Sequence, residues 1–180
     1  MKRIIVIYGL IAGGILAAVM LTTMPLYMNG TLNFDNGELT GYSTMVIALS
    51  LVFFGIKSYR DKHSKGIISF GKAFKVGILI TLIAAIMYAM AWEVCYSQMS
   101  DEFTKQMTTR YFEKLKKNGA SDAELEKAKV EWASFGEMYK NPVVRFGVTL
   151  MEVSPVGIII TLLSAGLLRK KEFLPEETVV

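Results

Sequence analysis

Three residues stand where charge is least expected in this chain: Glu93, Glu152 and Arg145 each interrupt or border a long uncharged run. A charge held in a bilayer costs at least about 2.5 kcal/mol on insertion scales, so its presence asks for an ion path, a proton relay or a neutralising partner. Arg145 precedes Glu152 by seven residues, which puts both on one helix face. Pro155 lacks the amide that would bond the carbonyl of Met151 and predicts a bend beside the acid. Bent helices that carry charge line the substrate paths of transporters, near the bilayer midplane. Here, however, the acids lie shallow. Glu93 is ~27 Å along its helix from Lys75 and Glu152 is ~25 Å from Arg169, which puts both carboxylates just inside the far boundary of a ~30 Å hydrocarbon core. The three residues form a candidate intramembrane polar site. On depth, the reading that leads is two interfacial acids that reach headgroup water or pair with Arg145.

Other chemistry has little material. The single cysteine, Cys95, leaves no internal disulfide, and with one histidine, His63, there is no ligand cluster for zinc. H-E-x-x-H, G-x-S-x-G and a Walker lysine are all missing, so no catalytic residue, metal or cofactor is expected and the chain reads as a non-enzyme. The net charge of +4 gathers at the ends of apolar runs and marks topology rather than a nucleic-acid partner.

Those runs are the elements that must position the polar residues. Hydrophobic residues make up 52% of the 180, gathered in blocks at 4–24, 39–56, 76–92 and 153–168 that contain no charge. With their flanks they predict an all-α, polytopic membrane protein, one domain over 1–180 with spans at about 4–24, 40–58, 70–97 and 142–168. Lys2 and Arg3 before the first run also fit a secretory signal, but the run is too long for one and reads as an anchor. Lysine and arginine bias sets orientation. Lys2, Arg3, then Lys57, Arg60, Lys62, Lys65, Lys72 and Lys75, then Arg169, Lys170 and Lys171 place both termini and the middle loop in the cytoplasm. Residues 25–40 and about 97–141 fall outside. The basic loop also suits anionic headgroups of the surrounding lipid bilayer.

Residues 98–141 change character and read as an extracytoplasmic helical hairpin between spans three and four. Phe103, Met107, Tyr111 and Leu115 recur every four residues until Asn118-Gly119 supplies a stop. Ser121-Asp122-Ala123-Glu124 then fits a capping box, and Leu125, Ala128, Trp132, Phe135 and Tyr139 form a second apolar stripe. Trp132 and Phe135 are the candidate partner surface on it. Asn141-Pro142 predicts the start of the last helix. Small residues such as Gly9, Gly13 and Ala17, or Ala73 and Gly77, suit close helix packing within the chain, in a homo-oligomer or with a membrane-protein partner.

The segments Tyr8-Gly9-Leu10-Ile11-Ala12-Gly13, Gly55-Ile56-Lys57-Ser58-Tyr59-Arg60-Asp61, Gly66-Ile67-Ile68-Ser69-Phe70-Gly71-Lys72-Ala73 and Glu152 followed by Ser154-Pro155-Val156-Gly157 resemble the family called domain of unknown function 4199. The resemblance implies a four-helix protein of the bacterial inner (cytoplasmic) membrane, with no activity to carry over. Two functions stay open. One is a non-enzymatic structural or accessory component of that membrane; the other is a small transporter or an ion- or proton-linked protein that uses Glu93 and Glu152.

Overall fold

A backbone without water must bond to itself, and uncharged runs this long do so as helices. The computed structural model describes residues 1–32, 37–169 and 173–174 and contains six of them. They are α1 (Lys2–Met28), α2 (Gly37–Leu49), α3 (Leu51–His63), α4 (Phe70–Lys117), α5 (Asp122–Lys140) and α6 (Pro142–Leu168). Ser50 keeps right-handed helical angles between α2 and α3, so the pair acts as one candidate span. Among the described residues, four helices are long and apolar enough to cross a membrane. Lys170 and Lys171, and residues 33–36 of the first loop, lie outside the described residues.

The expected caps are present. Ser121 accepts from the Glu124 amide while Glu124 reaches back to the Ser121 amide, at 3.4 and 2.8 Å. Asn141 accepts from the Val143 amide at 2.9 Å, with Pro142 in the first helical turn. Gly119 supplies the positive φ of 83° that turns the chain between α4 and α5. α6 runs through Pro155 as a single helix, and the Ser154 hydroxyl donates to the Leu150 carbonyl one turn back.

α4 is the central helix, packed most extensively against α1 and α6. Glycine makes both contacts possible. A Cβ on Gly9 would stand 2.7 Å from the Ile83 side chain, and one on Gly157 would stand 2.1 Å from the Thr81 methyl. The small-residue stripe of α1 is thus occupied by α4 of the same chain. Residues from Ile4 to Leu168 form the larger core around these contacts, and Met20, Ala91, Trp92 and Cys95 form a smaller one nearer the hairpin.

The long α4 is not straight. Met99 leaves helical geometry at φ −139° and ψ 21°. In a straight helix Trp92 and Phe103 would stand about 16 Å apart along the axis, yet their rings meet edge-on with centroids 4.8 Å apart. The chain therefore bends sharply at Met99, and the following limb crosses the end of the bundle. Gln106 donates to the Met28 carbonyl at 3.2 Å, which bonds that limb to the end of α1.

Candidate functional site

The polar residues singled out by sequence part company at the hairpin end. Arg145, on the first turns of α6, points across to α4 and grips Glu93 with two bonds, Nε to Oε1 at 2.9 Å and Nη2 to Oε2 at 2.5 Å. Its remaining nitrogen, Nη1, donates to the carbonyls of Tyr139 and Lys140, 3.1 and 3.3 Å away. These carbonyls end α5 and have no partner within the helix. The Tyr96 ring lies under the guanidinium at 4.0 Å, a cation–π contact. Arg145 is buried, and its planar fork suits this combination of carboxylate, carbonyl and ring. One side chain thus joins the central helix to the hairpin.

Glu152 takes no part in that cluster. No hydrogen bond or ion pair joins it to another described residue, and it lines a cleft of about 560 Å³ instead. That volume falls in the range of small-molecule sites. α1 contributes Met20, Thr23 and Met24 to the lining, and α2 contributes Glu38, Tyr42, Thr44 and Met45. α4 gives Tyr88 and Trp92 before its bend and Phe103 and Met107 after it, so the limb that crosses the bundle forms one wall. Tyr139 closes the side nearest α5.

Aromatic contacts hold this wall in place. Trp92 Nε1 donates to the Tyr139 hydroxyl at 2.7 Å, and Tyr96 meets both Phe103 and Tyr139 edge-on. Burial pushes the Tyr139 phenol up to about 12, with the Trp92 bond and the Arg145 charge opposing and the Glu152 charge adding. Tyr139 therefore stays a neutral acceptor for Trp92 near neutral pH. Tyr88, Trp92 and Tyr96 recur every four residues along α4, a spacing visible in the sequence but absorbed there into the apolar span.

Trp132 and Phe135 sit farther out. Trp132 stacks on Tyr111 at 4.4 Å and donates to the Thr108 hydroxyl at 2.8 Å, so it holds the two hairpin limbs together. Phe135 lies between Trp132 and Tyr139 and remains partly exposed.

A family model described as "Protein of unknown function (DUF4199)" matches residues 7–170. The chain belongs to the DUF4199 family. Curated proteins and solved structures yield no match to it. In this DUF4199 chain the matched segment contains the whole of the cleft, the Glu93–Arg145 pair and the hairpin. Among its described residues no group of three or more histidine, cysteine, aspartate or glutamate side chains stands ready for a metal ion.

Proposed function

We propose that this DUF4199 protein is a non-enzymatic, multi-pass protein of the bacterial cytoplasmic membrane that binds an amphipathic small molecule in its cleft, with the hairpin as an external cap. The observation that carries the proposal is an open cleft of about 560 Å³ beside an unpaired carboxylate, roofed by a limb that α4 bends over the bundle. The basic residues support the orientation. Lys57, Arg60, Lys62, Lys65, Lys72 and Lys75 flank the turn between α3 and α4, at the opposite end from the hairpin, and the positive end of a membrane protein stays in the cytoplasm.

An ion path that uses Glu93 and Glu152 together has less support, because Glu93 is engaged twice by Arg145 while Glu152 faces the cleft alone. A structural or accessory role through a protein partner draws on exposed Val130, Phe135 and Met138 of α5. Both roles remain compatible with a bound amphiphile.

Gly41 provides the test. It lines the cleft, and a Cβ added there meets nothing within 4 Å. The wild-type protein, extracted in mild detergent and examined by native mass spectrometry, is expected to retain a small molecule that Gly41→Phe loses while its circular dichroism remains unchanged. Identical ligand content in the two proteins, or none in either across several detergents, overturns the proposal.

A further inference from the structure

The charges around the cleft narrow the class of molecule it can take. Its lining includes two carboxylates, Glu152 and Glu38, and no lysine, arginine or histidine among the described residues. Arg145 is turned to Glu93, Tyr96 and the end of α5 and is not part of the lining. Aromatic rings make up much of the rest, with Tyr42, Tyr88, Trp92, Phe103 and Tyr139 on the walls. Their electron-rich faces attract organic cations, and ammonium groups too bulky to hydrate well are held in cages of such rings. Methionines 20, 24, 45 and 107 complete the surface with flexible apolar side chains that adapt to a chain of varying shape.

Resting on the reading of the cleft as a ligand site, we infer that its occupant is a cationic amphiphile, an alkyl or aryl hydrocarbon that carries an ammonium group. The ammonium lies by Glu152 between Tyr88 and Tyr139, and the hydrocarbon lies among the methionines of α1 and α2. A bare metal ion suits this lining less, because hard cations favour sites dense in carboxylate and carbonyl oxygens and most of these walls are aromatic rings and methionines. A phospholipid headgroup does not fit it either: its phosphate would meet two carboxylates and no described basic residue. An anionic amphiphile is repelled outright.

The test uses the full-length protein in neutral lipid nanodiscs with a Trp132→Phe background, so that fluorescence reports Trp92 alone. Dodecyltrimethylammonium, dodecylphosphocholine, octaethylene glycol monododecyl ether and dodecyl sulfate share one chain length and differ in head charge. Each is titrated below its micelle concentration. The ammonium compound is expected to saturate the signal at about ten-fold lower concentration than the uncharged ether, a preference of ordinary size for one cation–π and carboxylate contact. Glu152→Gln, which keeps shape and loses charge, is expected to bring the two together. Melting of the unsubstituted protein gives the same comparison without any variant: only the ammonium compound should raise the midpoint clearly.

Each result decides something. Equal binding of ether and ammonium overturns the cationic assignment and leaves the cleft a site for hydrocarbon. Phosphocholine binding as tightly as the ammonium compound also overturns it, in favour of a lipid headgroup. No saturable signal with any of the four, together with no melting shift of the unsubstituted protein, removes the ligand-binding reading itself.

Discussion

Arg60 at the basic end and Arg145 at the hairpin end each bond one carboxylate and two backbone carbonyls, in different surroundings. Arg60 is fully buried, bonds Asp61 at 2.7 Å and donates to the carbonyls of Phe173 and Leu174 near the C-terminus. Arg145 bonds Glu93 and donates to the carbonyls that end α5. Each arginine therefore ties a distant stretch of chain to the bundle. Around Arg60 the helices close tightly, with Gly55 against Ile80 and Tyr8 and Gly77 against Thr161 and Ile56. Beside Arg145 the bundle opens into the cleft, its walls aromatic and its own carboxylate unpaired. Glycine at helix contacts draws backbones together, whereas tyrosine, tryptophan and methionine hold them apart. The opening at one end is therefore written into residue size, and the hairpin tether keeps a roof over it.

Removing the tether should break this contrast most severely. Arg145→Met leaves Glu93 without its partner and two carbonyls unbonded, a loss on the order of 3 kcal/mol. Thermal unfolding in detergent measures it, and limited proteolysis should show cuts in the hairpin. Arg60→Met, in contrast, should leave hairpin resistance unchanged. Equal hairpin cleavage in both variants would mean that Arg145 does not hold the cap.

The closed half gives the next largest effect. Gly157→Val forces a side chain into Thr81 and is expected to cost about 2 kcal/mol or more by overpacking, whereas Gly41→Ala, which enters open space, should be near neutral. Similar melting shifts for the two would erase the difference in packing between the ends.

Much of this architecture was legible from residue order. Uncharged runs mark the spans, Ser121 to Glu124 marks the capping box, and Asn141-Pro142 marks the start of α6, because each depends on neighbours within a few positions. Arg145 shows the limit. Spacing along one helix put it over Glu152, but its side chain reaches across to Glu93 on α4, a choice set by how α4 and α6 approach through Gly77, Thr81, Gly157 and Thr161. The bend at Met99 also lacks a local cause in proline or glycine, so the folding of Phe103 and Met107 over the cleft had no signature in the span pattern. Even the apolar stripe from Phe103 to Leu115 serves two purposes: its first members face the cleft, and Tyr111 faces Trp132.

The smallest expected effect sharpens the independence of the outer hairpin. Ser121→Ala removes the cap at the start of α5 and should cost about 1 kcal/mol. Hydrogen bonds from the Ser121 amide and hydroxyl hold the Glu124 carboxyl below the ordinary glutamate value. Its contribution is complete above that ordinary value and is lost as pH falls through the lower, folded one. Hydrogen exchange of α5 amides should reveal both changes, with the amides of α1 and of the C-terminal half of α6 unaffected.

Thiol labelling tests the central claim, that the hairpin end contains an accessible cleft while the opposite half is closed. In a Cys95→Ala background, Thr44→Cys reports the cleft wall and Ser164→Cys reports the buried half. A water-soluble maleimide is expected to modify Thr44→Cys readily and Ser164→Cys hardly at all, and Gly41→Phe should slow the first reaction. Thr44→Cys as inert as Ser164→Cys would contradict the account, because the cleft would then be no site at all.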